Sequence, residues 1–95
     1  MNLGKAIADL RKAKGLKQNE FADSLGISQP LISRYELNKD IPNEKNLRRI
    51  AKALGISLPL LYFQSMEDSD IPESKKLQYD LLLPTIKQLI HQLCT

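Results

Sequence analysis

Three groups of residues in this chain have types and spacings that invite a chemical reading. His91 and Cys94 lie three apart on one helical pattern, the separation at which a thiol and an imidazole can meet. Such a dyad needs a third positioning group and a substrate cleft, and the sequence offers neither. A surface histidine and a near-terminal cysteine are therefore expected. Glu67, Asp68 and Asp70 gather three carboxylates, but they lack the regular spacing and glycine of a calcium loop and read as a solvated acidic segment. One Cys and one His cannot furnish a zinc site, and no phosphate-cradling glycine loop occurs, so no metal, no cofactor and no enzymatic activity is expected. The third group is Gln29, Ser33 and Arg34. A carboxamide and a guanidinium are planar and bidentate, and they suit recognition of flat polar edges rather than catalysis.

These side chains need elements to position them. Leu3, Ile7 and Leu10 recur at helical spacing, Asn2 can cap that first helix, and Gly15 follows the basic last turn of Lys12 and Lys14. A second helix is expected from about Lys17 to Leu25, with Phe21, Ala22 and Leu25 inward and Gly26 ending it. Ser28 then caps a third helix to Leu37, with Pro30 in its first turn, where a missing N–H costs little. Asn38, Lys39 and Asp40 read as a turn. Asn43 caps a fourth helix through Leu47, Ile50, Ala51 and Leu54, and Ser57 caps a short fifth through Leu58, Leu61 and Tyr62. No period-two run long enough for a sheet appears, so the fold class is all-α. Residues 1–63 form the expected domain, 64–72 an acidic linker, and 73–95 a C-terminal helical extension. Pro84 inside that extension predicts a kink or two shorter helices.

Composition narrows the function classes. The chain has 95 residues, 42% of them apolar and 26% charged, which suits one small globular domain with an extension and leaves little room for a catalytic cleft. No apolar run reaches membrane-spanning length, no signal-peptide pattern opens the chain, and a single cysteine suits a reducing compartment, so a cytoplasmic location and no membrane partner are expected. The net charge of +3 is unevenly spread: residues 1–63 hold 11 basic against 6 acidic side chains, residues 64–95 hold 3 against 5. A basic N-terminal part suggests a polyanionic partner.

The stretch from Gln18 to Leu37 meets three conditions at once. Ala22 is small where two helices would cross, Gly26 accepts positive φ in the turn between them, and the second helix has Ile32 and Tyr35 inward with Gln29, Ser33 and Arg34 outward. With Leu10-Arg11-Lys12-Ala13-Lys14-Gly15-Leu16-Lys17-Gln18, Phe21-Ala22, Leu25-Gly26-Ile27-Ser28, Ile32-Ser33-Arg34-Tyr35-Glu36 and Ile50-Ala51-Lys52-Ala53-Leu54-Gly55-Ile56, residues 3–63 resemble the lambda-repressor-like, Xre/Cro-type helix-turn-helix domain. The resemblance implies a five-helix domain that binds double-stranded DNA, usually as a dimeric transcriptional regulator. Asn38 stands where glycine is common, and Asn tolerates the left-handed turn. Pro30 stands where many relatives carry a polar base-reading side chain, which leaves only apolar contact there.

The residue roles follow from that frame. Gln29 and Arg34 are the expected base readers, since Gln pairs bidentately with adenine and Arg with guanine. Ser28, Pro30 and Ser33 complete the reading surface, Ser28 serving also as cap. The resemblance implies a phosphate contact at Gln18. Lys17, Asn38, Lys39 and Lys45 are expected near the backbone, the alternative for each lysine being a solvated charge. The resemblance also implies a structural ion pair between Arg11 and Glu36, set against two separate exposed charges.

The last segment carries Tyr79, Leu82, Ile86, Leu89 and Leu93 at spacings of three and four, a heptad-like seam widened by Leu83 and Ile90. Homodimerisation is its preferred use, which would set two reading helices about 34–36 Å apart on a near-palindromic site read by a repressor. Folding back onto its own domain is the bland alternative. An antitoxin-type interaction module, whose extension holds a partner protein, is the competing function.

Overall fold

A computed structural model describes residues 1–95, all of the chain. It is helical throughout, without strands: α1 (Leu3–Ala13), α2 (Gln18–Leu25), α3 (Gln29–Glu36), α4 (Glu44–Leu54), α5 (Leu58–Gln64) and α6 (Lys76–Leu93), with 3-10 turns at Asp68–Asp70 and Glu73–Lys75 before α6. Local chemistry sets most of these ends. Asn2 Oδ1 accepts from the Lys5 N–H (3.0 Å), Ser28 Oγ from the Leu31 N–H (3.3 Å) and Asn43 Oδ1 from the Asn46 N–H (2.8 Å). Each satisfies one N–H that a helix start would otherwise leave open. Ser57 occupies the cap position of α5 but makes no such side-chain bond.

Apolar stripes from all six helices meet in one core. Ile7, Leu10, Phe21, Ile32, Ile50, Leu54 and Leu61 are its most enclosed large side chains. Tyr35 closes it beneath α3 and donor Asn46 Nδ2 reaches the Tyr35 hydroxyl (3.1 Å), which settles that buried polar group. From the middle of α4, Arg49 donates to the Leu25 carbonyl, one of the acceptors that the end of α2 leaves unpaired.

One close approach fixes how α1 meets α3. A Cβ added at Gly4 would lie 2.5 Å from the carbonyl oxygens of both Tyr35 and Glu36. Only glycine lets the first turn of α1 sit that near the last turn of α3. The Gly4 N–H then donates to Asn38 Oδ1 (2.9 Å), and Asn38 Nδ2 donates to Asn2 Oδ1 (2.8 Å). Asn38 itself takes the left-handed φ of 57° expected of it.

The structure departs from the sequence reading beyond residue 63. The segment 64–72 is no loose tether. Ser65 and Ile71 are buried, the Asn2 N–H donates to the Ser65 carbonyl (2.8 Å), and Lys87 donates to the Met66 carbonyl. The Met1 ammonium pairs with Asp70 (2.7 Å) and Glu67 (3.1 Å). Apolar anchoring at Ile71 and backbone bonding at Ser65 outweigh the segment's acidic composition. Pro84 lies within α6 without dividing it into two helices. Leu83, Ile90 and Cys94 point into the protein, and Ile90 and Cys94 join the main core.

Burial raises the Cys94 thiol above its ordinary pKa, against a weaker opposing pull from Lys14. Since the thiolate is the reactive form, folded protein should label slowly with a thiol reagent at pH 8 and completely in denaturant. Rapid stoichiometric labelling of the folded chain would mean that α6 leaves the core.

Candidate nucleic-acid interface

The turn between α2 and α3 is short and closed. Gly26 adopts φ 66°, and its own N–H and that of Ile27 return to the carbonyls of Asp23 (3.2 Å) and Ala22 (3.1 Å). Ala22, 1% exposed, fills the helix crossing where a larger side chain would hold the helices apart. With Ile32 and Tyr35 turned inward, α3 presents Gln29, Pro30, Arg34 and Leu37 to solvent, with Ser33 half-buried among them.

A chain of hydrogen bonds runs from the interior to this surface. Arg11 Nε donates to Glu36 Oε2 (2.7 Å), Nη2 to Oε1 (3.1 Å) and Nη1 to the Leu16 carbonyl (2.7 Å). The two charged side chains are 8% and 6% exposed, so this is a buried, bidentate pair between α1 and α3. Gln18 Nε2 donates to the same Glu36 Oε1 (2.9 Å), and Gln29 Nε2 donates to Gln18 Oε1 (2.8 Å). The expected ion pair is thus extended by two glutamines to the exposed face.

The chemistry left over matters as much. Each amide nitrogen in this relay uses one N–H internally and keeps one. Gln29 also keeps its carbonyl oxygen, so a donor and an acceptor remain side by side, the pattern that complements adenine. Gln18 keeps one donor at the start of α2, where unpaired backbone N–H groups also favour an anion.

The other site residues fall into two sets. Lys17, Lys39 and Lys45 are exposed and take part in none of the protein's ion pairs. Asn38 has both ends of its amide engaged by Gly4 and Asn2, and its N–H goes to the Tyr35 carbonyl (3.1 Å). The turn thus takes its backbone N–H, its amide oxygen and one amide N–H, and its Nδ2 keeps a second N–H at the exposed surface. Arg34 is exposed but held by Asp40, Nε to Oδ2 at 2.6 Å and Nη2 to Oδ1 at 3.2 Å. Sequence reasoning missed that partner. It also missed Leu37, which ends α3 with 61% of its surface exposed. Pro30, Ser33 and Leu37 share one face at spacings of three and four, a signal that treating Leu37 as the helix end concealed.

A helix-turn-helix family profile matches residues 7–61. The chain belongs to the lambda-repressor-like helix-turn-helix family. That family comprises DNA-binding transcriptional regulators and not enzymes. The chain is 42% identical over 59 residues to the ImmF control region 10 kDa protein of Bacillus phage phi105, covering 62% of this chain and 66% of that one. It is 41% identical over 71 residues to the uncharacterized HTH-type transcriptional regulator YqaE of Bacillus subtilis, covering 74% and 61%. It is 36% identical over 58 residues to multiprotein-bridging factor 1 of Debaryomyces hansenii, covering 61% and 39%. The match therefore spans between about two fifths and two thirds of the length of these relatives. No solved structure matches the chain at significance. No helix is long and apolar enough to cross a membrane.

Glu36→Ala should strand the Arg11 guanidinium in the core and cost about 3–5 kcal/mol of stability, read from urea denaturation. The double mutant with Arg11→Ala should recover part of that loss. Additive losses in the cycle would show that the pair is not coupled.

Proposed function

We propose that this helix-turn-helix protein is a sequence-specific transcriptional regulator, a homodimeric repressor that reads a near-palindromic operator with α3 in the major groove. The observation that carries the reading is the relay from Arg11 through Glu36 and Gln18 to Gln29. It fixes a bidentate side chain at the exposed start of α3 and leaves its adenine-compatible donor and acceptor free. Gln29 and Arg34 read bases, Ser28, Pro30 and Ser33 line the contact, Gln18 and Asn38 donate to phosphate oxygens, and Lys17, Lys39 and Lys45 neutralise phosphate charge. Two relatives named as HTH-type transcriptional regulators and a phage control-region protein support a regulatory role.

Selection of bound sites from random duplexes tests binding, sequence preference and half-site symmetry together. Affinity for the selected site should fall linearly with salt on a double-logarithmic plot, and Lys39→Ala should lower the slope by about one while weakening all sequences alike. Gln29→Ala with Arg34→Ala should relax sequence preference. Full preference in that double mutant would refute α3 as the reading helix.

The dimer is carried by α6. Its inward face is taken by Leu83, Ile90 and Cys94, while Leu82, Leu89 and Leu93 stay more than half exposed along the next face. Tyr79 and Ile86 are half-buried between the two, beside a 270 Å³ apolar groove that includes Phe63. A stripe of three leucines is unusual on a free surface and suits a second copy of α6. The same stripe favours the competing reading, an antitoxin-type module that holds a partner protein there. Light scattering at micromolar concentration should give a dimer for the native chain and a monomer for Leu82→Glu with Leu89→Glu. A monomeric native chain would remove the dimer and leave the partner-protein reading of the stripe.

A further inference from the structure

The Arg34–Asp40 pair has a geometry that bears on how a base would be read, granted that α3 is the recognition helix. The chain reverses at Asn38, and the Arg34 carbonyl accepts from both the Lys39 N–H (2.9 Å) and the Asp40 N–H (3.3 Å). This closure of the helix end brings Asp40 back beside a residue six positions earlier. Asp40 then meets Arg34 side-on, through Nε (2.6 Å) and Nη2 (3.2 Å). Three guanidinium N–H groups stay unused: both on Nη1 and one on Nη2. They form the terminal edge of the fork, the edge that pairs with guanine O6 and N7.

We propose that Asp40 is a positioning residue for base recognition, holding one edge of Arg34 so that the Nη1–Nη2 edge is presented to guanine.

Two physical effects make the pair a specificity device. A free arginine must be immobilised when it binds a base; one already held by a carboxylate loses fewer rotamers. A carboxylate beside the phosphate backbone is also repelled by it, which lowers affinity for every sequence, and the guanine contact offsets that repulsion only at the right base. The hydrogen bond from Arg34 holds Asp40 below the usual carboxylate range, so the negative charge persists through neutral pH. Both groups are exposed, with side chains 53% and 42% accessible, so the pair contributes little to folding and stays within reach of a duplex.

The test uses the site selected by the native chain and a copy in which its guanine opposite Arg34 is replaced by adenine. Arg34→Ala locates that guanine as the position whose preference it abolishes. Asp40→Asn should then lose about tenfold in discrimination between the two sites, near the low end for one bidentate contact, while binding random-sequence DNA at least as tightly as the native chain. Its melting temperature should be unchanged, and Asp40→Glu should restore part of the preference. Arg34→Ala with Asp40→Asn should discriminate no worse than Arg34→Ala alone. If Asp40→Asn keeps the guanine preference, whether its overall affinity rises or not, Asp40 does not position Arg34 and the proposal falls. If Arg34→Ala changes no base preference, the reading of Arg34 as a base contact falls first, and this inference falls with it.

Discussion

The buried pair of Arg11 and Glu36 is the constraint around which the recognition half of the molecule is arranged. Two charges in a core this small are tolerated only if their hydrogen-bonding capacity is met. It is met here by three helices and a loop: Arg11 from α1, Glu36 from α3, Gln18 from α2 and the Leu16 carbonyl between α1 and α2. A carboxylate in the last turn of α3 faces the negative end of its own helix dipole, an unfavourable place unless a cation answers it. Arg11, in the last turn of α1, has the favourable end of that arrangement. The pair therefore locks the end of α3 to α1 with a directionality that apolar packing lacks.

That lock carries outward to the surface. Gln18 bonds Glu36 with its amide nitrogen and receives Gln29 with its oxygen, so the amide orientation of Gln29 is tied to a buried carboxylate two residues away along the relay. Gly4 and Asn38 hold the same helix end from another side, by close approach and by hydrogen bonds to the start of α1. The helix α3 has only eight residues, too few to be stable alone. Its rigidity comes from these tertiary ties, and a short helix so held keeps its exposed side chains in register.

What could be read in the sequence divides along the range of the interactions. Caps at Asn2, Ser28 and Asn43, the positive-φ turn at Gly26 and the inward stripe of α4 are local, governed by residues within one or two turns, and the structure has them where they were expected. The Arg11–Glu36 pair spans 25 positions and came from resemblance, not from spacing. The glutamine relay was missed because nothing in a sequence says that two polar side chains 11 apart will meet. Asp40 was read only as a turn residue, since its partnership with Arg34 depends on the path of the reversal after Leu37. The segment 64–72 misled by composition: its acids suggested solvation, while Ser65 and Ile71 are what the fold uses, and Glu67 and Asp70 pair with the N-terminal ammonium.

The C-terminal helix shows why one apolar stripe in a sequence can answer to two demands. Residues 79, 82, 86, 89 and 93 follow a heptad-like spacing, and residues 83, 90 and 94 follow another row of the same helix, so the two faces adjoin. The second row is buried on the domain and gives the core Ile90 and Cys94. Burying it turns Leu82, Leu89 and Leu93 outward together in one fixed orientation. Docking on the domain and association with a partner are then not competing uses of α6. The first would favour the second, because a helix already ordered against α1 and α5 loses less conformational entropy if its free face is covered. By linkage, a partner that bound only this docked arrangement would stabilise the whole domain, including α1 and the ion pair that holds α3. Assembly through α6 and recognition through α3 would thus draw on the same packed core.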